Sequence, residues 1–134
     1  MPTKEYMTNQ ELIDKARTVA IPRELSRQCN VGHAGAALIT DKGNVYVGAS
    51  IDASSGIGFC AEHAAISNMI TNGESRIMTL ASVGQKQKIY SPCGRCRELM
   101  YLVNKENMST DIVLGFDRVM KLKELLPEPW QEIA

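Results

Sequence analysis

Two short cysteine-containing segments have residue types and a spacing that can do chemistry. The first runs from Cys60 to His63 with the sequence Cys-Ala-Glu-His, and the second runs from Pro92 to Cys96 with the sequence Pro-Cys-Gly-Arg-Cys. A catalytic zinc ion takes three protein ligands and keeps its fourth position for water. The thiols of Cys60, Cys93 and Cys96 therefore predict an open site whose cofactor is Zn²⁺.

Glu62 follows the first cysteine by two positions, so it is placed beside the metal without needing to bind it. A carboxylate there can take a proton from the attacking water and return it to a leaving nitrogen, acting as general base and then general acid. A zinc-binding residue, one spacer and Glu, followed by Pro-Cys-x-x-Cys, is typical of zinc-dependent deaminases, including those with three cysteines. The sequence thus predicts a hydrolytic deamination with Glu62 as the catalytic residue.

Both cysteine segments are predicted to lie at the start of a helix, which matters for their charge. Three thiolates on Zn²⁺ leave a local charge of about −1, and this opposes ionisation of water at the metal. Two helix N-termini carry partial positive charge and exposed amides that offset it. His63 and Arg97 are the candidates to donate hydrogen bonds to the sulfurs.

Other interpretations of the cysteines stay open. A closed structural zinc site would use Cys29 or His33 as a fourth ligand. Both lie in a predicted loop, where an idle thiol and an ordinary loop histidine are the commoner outcomes. A thioredoxin-like redox pair is disfavoured, because its βαβ order is missing and Cys60 would have no role.

The apolar pattern predicts the elements that position these segments. A helix begins after Thr8, where Thr8 and Glu11 form a capping box, and Pro22 should end it. Residues 21–34 are predicted as a loop. Helices follow at 61–71 and 94–104, with strands at 36–40, 45–51, 77–83, 111–114 and 118–121, a short continuation at 89–90 and a helical turn at 123–126. This order predicts one α/β domain over residues 1–134 with a mixed sheet between helices.

Composition excludes several classes of protein. The chain has 134 residues, 44% of them apolar, and 15 basic residues balance 15 acidic ones. A net charge of zero argues against a nucleic-acid binder, which needs a basic face. No run approaches the ~18 apolar residues of a membrane helix, and Met1 to Tyr6 lack the apolar core of a signal peptide. A cytoplasmic location without membrane partners is expected, where structural disulfides are rare.

Several segments resemble the cytidine deaminase family, and within it also the blasticidin S deaminases. They are Gly-Ala-Ala-Leu-Ile at 35–39, Gly-Asn-Val-Tyr-Val-Gly at 43–48, Cys-Ala-Glu at 60–62, Ser-Pro-Cys-Gly-Arg-Cys-Arg at 91–97 and Glu-Leu-Leu-Pro at 124–127. The resemblance implies a three-layer α/β/α sandwich with a mixed five-stranded sheet. It implies zinc on the three cysteines, water addition at C4 of a cytosine ring and loss of ammonia. It also implies a homo-oligomer, a tetramer or a dimer, with active sites near subunit contacts.

The resemblance also implies where the substrate binds. Backbone groups at Ala61 would hold the pyrimidine. The Asn and Glu that bind sugar hydroxyls in the family are replaced by Ser50 and Asp52, whose shorter side chains imply a looser or differently placed sugar contact. The family's aromatic before the first strand aligns near Gly32. Trp130, the only tryptophan, is either a packing anchor for the C-terminus or an aromatic wall for a substrate, in a neighbouring subunit.

The leading prediction is a hydrolytic deaminase acting on a small cytosine nucleoside or a close analogue. An antibiotic-inactivating deaminase of the blasticidin S type is the alternative enzyme, favoured by Ser50, by a short loop between Ser50 and Cys60 and by the tail tryptophan. A non-catalytic, zinc-stabilised binding protein would need neither Glu62 nor an open zinc position. A nucleic-acid-editing deaminase is disfavoured by the zero net charge and the scarcity of stacking aromatics.

Overall fold

A computed structural model describes residues 7–130 of the chain. Its helices are α1 (Asn9–Arg17), α2 (Ala61–Thr71), α3 (Gly94–Val103) and α4 (Leu122–Leu125). Its strands are β1 (Arg23–Ser26), β2 (Cys29–Thr40), β3 (Val45–Ala53), β4 (Ile77–Val83), β5 (Ile89–Tyr90), β6 (Asp111–Gly115) and β7 (Arg118–Lys121). Two 3₁₀ helices lie at Ser54–Gly56 and Lys105–Ser109. No helix in this part of the chain is long and apolar enough to cross a bilayer.

The seven strands form one mixed sheet. Its central order is β3-β2-β4-β6-β7, in which β4 and β6 are parallel and the other neighbours are antiparallel. The short strand β1 pairs with the beginning of β2, and β5 pairs with the end of β4. The predicted α/β class with a mixed sheet is confirmed, and the five predicted strands form the centre of a sheet that two short strands extend.

Apolar side chains pack on both faces of this sheet. Alternate residues of the central strands point to opposite sides, so Leu38 joins the cluster under α2 and α3 whereas Ala37 joins the cluster under α1. Leu80 and Ala81 divide in the same way on β4. Strands buried on both faces read as continuous apolar runs, which is why 77–83 was predictable as a central strand.

The prediction of a loop over residues 21–34 is wrong, because this segment contains β1 and the beginning of β2. Arg23 pairs with Val31, but all four side chains of β1 are exposed, so the strand has no apolar pattern to reveal it. A bulge follows Val31. Gly32 has a φ of +82°, and an added Cβ there would lie 2.0 Å from the carbonyl oxygen of Ile21. Only glycine fits both constraints.

Helix α1 has the predicted capping box. The Thr8 hydroxyl accepts from the Glu11 amide at 3.1 Å, and the Glu11 carboxylate accepts from the Thr8 amide at 2.8 Å. The helix ends at Arg17 rather than at Pro22, because the Thr18 hydroxyl and amide turn back to main-chain carbonyls of the last turn.

Helix α2 lies directly against β3, and this contact fixes the position of its first turn. An added Cβ at Gly48 would lie 2.3 Å from the Ala65 amide nitrogen, so the two backbones approach as only glycine allows. Beyond the other end of the helix, Glu74 accepts hydrogen bonds from Asn44 and Tyr46, both at 2.7 Å. These contacts hold α2 to the β2–β3 hairpin at two points.

Candidate zinc site and active site

Helices α2 and α3 both begin at one cleft, and each begins on a cysteine. Cys60 is the N-cap residue of α2 and Cys93 is the N-cap residue of α3, both with extended backbone. Cys96 lies one turn into α3 and is fully buried. The predicted placement of both cysteine segments at helix starts is therefore confirmed.

The three sulfurs lie together in the folded chain. Those of Cys60 and Cys93 are 3.3 Å apart, and all three, including that of Cys96, lie within 4.8 Å of one another. Zn–S bonds of about 2.3 Å at tetrahedral angles would place sulfurs ~3.8 Å apart, so shifts of a few tenths of an ångström up to ~1 Å accommodate the ion. The residues present fit zinc.

Within residues 7–130, this is the one group of three or more potential metal ligands with such spacing. Cys29 lies on β2 and is not part of it. His33 lines the nearby cleft but does not join the group either. The closed four-ligand site that these two residues could have formed is not assembled in this structure.

Burial and mutual contact set the proton affinities of the three thiols. Burial, together with the neighbouring Cys93 sulfur, raises the pKa of Cys60 to about 11. Burial and the nearby Glu62 carboxylate raise the pKa of Cys96 well above its ordinary value. Partial burial opposes ionisation of Cys93, but the Cys96 amide and the other two thiols outweigh it and lower its pKa. Without metal, Cys60 and Cys96 therefore hold their protons at neutral pH.

Glu62 lies in the first turn of α2, and only 5% of its surface is exposed. Burial raises the pKa of its carboxyl group, an effect that its own backbone amide and the Ser82 hydroxyl oppose. Its charge acts on all three cysteines, which shows how near it lies to the sulfur cluster. The residue predicted to be catalytic is thus a buried acid beside the three sulfurs.

A cleft of about 510 Å³ opens beside the sulfurs. It is lined by the end of β3, the 53–58 loop, the first turn of α2 and the start of the Ser-Pro-Cys motif. Three residues predicted to bind the substrate, Ser50, Asp52 and Ala61, line it. Trp130 does not: its side chain is 77% exposed, and its amide donates to the Glu98 carboxylate at 3.1 Å.

The comparisons with known proteins agree with this geometry. The model of the cytidine and deoxycytidylate deaminase zinc-binding region matches residues 7–110. Cytidine deaminase from Mycobacterium tuberculosis strain H37Rv is 31% identical over 96 residues, which cover 70% of this chain and 69% of that protein. The chain belongs to the cytidine and deoxycytidylate deaminase family.

Further relatives of the deaminase agree in sequence and in structure. Blasticidin-S deaminase from Bacillus cereus is 34% identical over 80 residues, covering 53% of this chain and 57% of that protein. The crystal structure of a glutamate-to-glutamine mutant of the Mycobacterium tuberculosis cytidine deaminase superposes with a TM-score of 0.77 at 28% identity, covering 92% of this chain and 98% of that one. The crystal structure of cytidine deaminase from Burkholderia pseudomallei superposes with a TM-score of 0.74 at 28% identity, covering 92% of this chain and 100% of that one. The chain is accordingly a zinc-dependent hydrolase that removes an amino group.

Arg97 makes hydrogen bonds other than those the sequence predicted. Its guanidinium donates to the carbonyl of Pro92 at 2.9 Å, the hydroxyl of Ser91 at 2.9 Å and the carbonyl of Leu125 at 3.2 Å. Arg97 in this deaminase therefore holds the chain leading into Cys93 and ties it to α4.

His63 has an aromatic partner. Its ring stacks on that of Phe59, with centroids 4.4 Å apart and planes inclined by 22°. Its Nδ1 atom is buried and has no hydrogen-bond partner among the described residues. A hydrogen bond from His63 to a sulfur stays a prediction.

Sequence reasoning did not identify every residue of the cleft. Phe59 and Tyr90 also line it, and each directly precedes a cysteine-containing segment, Phe59 before Cys60 and Tyr90 before Ser91. An aromatic residue adjoining a ligand motif on the chain is the signal that could have found them.

Zinc uptake by the deaminase is expected to release at least about two protons per ion at pH 7, those of Cys60 and Cys96, because zinc binds thiolates. Raising the pH lowers the cost of removing those protons, so zinc affinity should rise by at least about a hundredfold per pH unit. Proton release can be followed with an indicator dye in weak buffer, and affinity by chelator competition at pH 6, 7 and 8. Uptake without proton release would contradict the raised pKa values.

Proposed function

We propose that this deaminase hydrolyses the exocyclic amino group of a free cytosine nucleoside, cytidine or deoxycytidine, and leaves the uracil nucleoside and ammonia. The observation that carries the proposal is the group of three sulfurs beside a buried glutamate at the wall of one cleft. Relatives named cytidine deaminase support this choice of substrate.

In this proposal Cys60, Cys93 and Cys96 hold zinc. The bound ion supplies a Lewis acid that lowers the pKa of water in the cleft. Glu62 accepts a proton from the water whose oxygen adds to C4 of the cytosine ring. It then gives that proton to the amino nitrogen, which leaves as ammonia, while the remaining hydroxyl proton passes to N3 of the ring as the C4 carbonyl forms. Because burial raises the pKa of Glu62, the carboxyl group is better suited to moving a proton in both directions near neutral pH.

The first turn of α2 and the end of β3 are proposed to hold the substrate. The Ala61 amide is among the first of the helix, and such amides have no acceptor within their own helix, so it is free to donate to the pyrimidine carbonyl. Asp52 is exposed at the cleft and can accept from a sugar hydroxyl. Ser50 contributes less, because its hydroxyl already accepts from the Ala34 amide at 3.0 Å.

The deaminase is further proposed to work as a homo-oligomer, a tetramer or a dimer, in the cytoplasm. Three thiol ligands need a reducing compartment to stay available for zinc. Ile57, whose neighbours Gly56 and Gly58 line the cleft, is 75% exposed, and Trp130, which does not line the cleft of its own chain, is 77% exposed. A second copy would bury such apolar surface and could receive Trp130 at its cleft.

A substrate panel at constant protein tests the proposal. Zinc-loaded deaminase is given cytidine, deoxycytidine, cytosine, cytidine monophosphate and blasticidin S, and ammonia release is followed with the ultraviolet change. We expect kcat/KM for the nucleosides to exceed that for cytosine by at least about tenfold, the equivalent of one sugar contact. Turnover of blasticidin S alone would favour the antibiotic-inactivating alternative, and a protein inert on both nucleosides would overturn the proposal.

A further inference from the structure

Tyr90 lines the cleft on the side opposite Asp52. It is the last residue of β5 and pairs with Ser82 of β4. Directly paired residues of neighbouring strands point to the same face of a sheet, and Ser82 lies near the Glu62 carboxylate. Tyr90 lines the cleft and is 42% exposed. Its ring therefore stands on the face that carries the catalytic residue, one position before the Ser-Pro-Cys motif.

The aromatic ring of Tyr90 packs directly against the backbone of Gly84. An added Cβ at Gly84 would lie 2.3 Å from Cε2, 2.4 Å from Oη and 2.5 Å from Cζ of Tyr90. The tyrosine thus lies diagonally along the β4–β5 hairpin, across a position where any larger residue would displace it. The Gly84 amide donates to the Lys88 carbonyl at 2.9 Å, which holds the turn beneath the ring.

A second contact ties this hairpin to the cleft wall. The Gln85 side-chain amide donates to the His33 carbonyl at 3.0 Å, and His33 lies at the bulge of β2 and lines the cleft. The β4–β5 turn, which contains Gly84, is therefore hydrogen-bonded to β2, the strand that lies between this hairpin and Asp52. An anchored aromatic is better placed to select a ligand than a freely rotating one.

The opposite wall offers little to a sugar. Strands β3 and β4 pair with opposite edges of β2, so the cleft runs from Asp52 on β3 across β2 to Tyr90 on β5. On the β3 side, Ser50 is almost buried and its hydroxyl already accepts one hydrogen bond, so the exposed polar side chain there is the Asp52 carboxylate. A tyrosine supplies an apolar face for the C–H groups of a sugar and a hydroxyl for one of its oxygens.

We propose that Tyr90 is a specificity-determining residue, which packs against the sugar of the nucleoside and hydrogen-bonds to one of its hydroxyl groups. This inference rests on the proposed function, since it presumes a substrate with a sugar. It adds a sugar contact on β5 to the one proposed for Asp52 on β3, with Gly84 as a positioning residue that acts through Tyr90.

The test compares Tyr90→Ala, Tyr90→Phe and Gly84→Ala with wild type on cytidine and on cytosine, which has no sugar. We expect Tyr90→Ala to raise KM for cytidine at least about tenfold with kcat within about twofold, since such a change marks a lost binding contact. Tyr90→Phe should raise KM for cytidine by about threefold to tenfold, because it removes only the hydrogen bond of the hydroxyl group. Gly84→Ala should resemble Tyr90→Ala. None should change kcat/KM for cytosine more than about twofold.

Gly115→Ala is the matched control, because its new Cβ would meet only the Arg118 Cβ, at an ordinary 3.6 Å. Zinc content and the unfolding midpoint of each variant show that it is folded, and the conservative Tyr90→Phe keeps the test decisive if a larger change unfolds the chain. A KM for cytidine that Tyr90→Ala leaves within twofold, or equal losses on cytidine and cytosine, would overturn the inference. Wild type turning over cytidine in that experiment would leave the proposed function intact. Wild type inert on nucleosides would overturn both.

Discussion

Replacing Glu62 with glutamine is expected to lower kcat by at least about 10³-fold while zinc stays bound, because one group serves as base and as acid and each role contributes ~10²–10⁴. Glutamine has nearly the same shape but cannot exchange a proton. Steady-state turnover of cytidine, with zinc measured per chain by mass spectrometry, gives both quantities. Residual activity above about a tenth of wild type would refute the assigned role.

The same variant should be no less stable than wild type at pH 7. Burial raises the pKa of Glu62 in the folded chain, so the protonated form is favoured there. The protonated Glu62 carboxyl therefore contributes stability, which is fully present below the pKa that Glu62 has in the unfolded chain. This stability is lost as the pH rises through the higher pKa that Glu62 has in the folded chain. Glutamine, which stays neutral, avoids that loss. Glu106→Gln, at an exposed position in the second 3₁₀ helix, is the matched control and should keep wild-type turnover and stability.

The central elements were predictable because their signals are local. The bounds of α2 follow from its apolar spacing and from Asn72-Gly73, where Gly73 adopts a φ of +87°. Strand β4 is buried on both faces and therefore reads as one apolar run. Strand β1 was missed because its stability comes from pairing with β2 rather than from burial of its own side chains.

Part of the sulfur group was also predictable, since the spacing within a helical turn brings Cys93 and Cys96 together whatever the rest of the fold does. Hydrogen-bond partners that meet only when distant parts of the chain come together in the fold were not predictable. Arg97 directly follows Cys96, yet its guanidinium donates hydrogen bonds to carbonyl and hydroxyl oxygens. The Ser50 hydroxyl accepts a hydrogen bond from the Ala34 amide on the neighbouring strand. The contact between the Tyr90 ring and Gly84 exists only in the folded β4–β5 hairpin. The sequence thus specifies the reaction more firmly than the contacts that select the substrate.

Removing one ligand sulfur is expected to remove zinc and with it all measurable turnover. Cys93→Ala and Cys96→Ala each leave two thiols, too few to retain the ion during purification and dialysis. Cys29→Ala is the matched control: it deletes the remaining cysteine of the chain, which is outside the sulfur group, and should keep one zinc per chain and wild-type kcat. Zinc content and turnover on cytidine measure both effects.

Urea unfolding of the metal-free proteins separates the two ligand variants from each other. Cys96 is fully buried, so its truncation leaves a small cavity and should lower the free energy of unfolding by about 1–2 kcal/mol relative to metal-free wild type. Cys93 is exposed, and its truncation should leave that free energy unchanged. Zinc should then stabilise wild type and Cys29→Ala but neither ligand variant, because only a chain that binds the ion gains its binding free energy. Loss of zinc from Cys29→Ala would instead indicate a fourth sulfur on the metal and a closed structural site, which has no open position for the water that deamination needs.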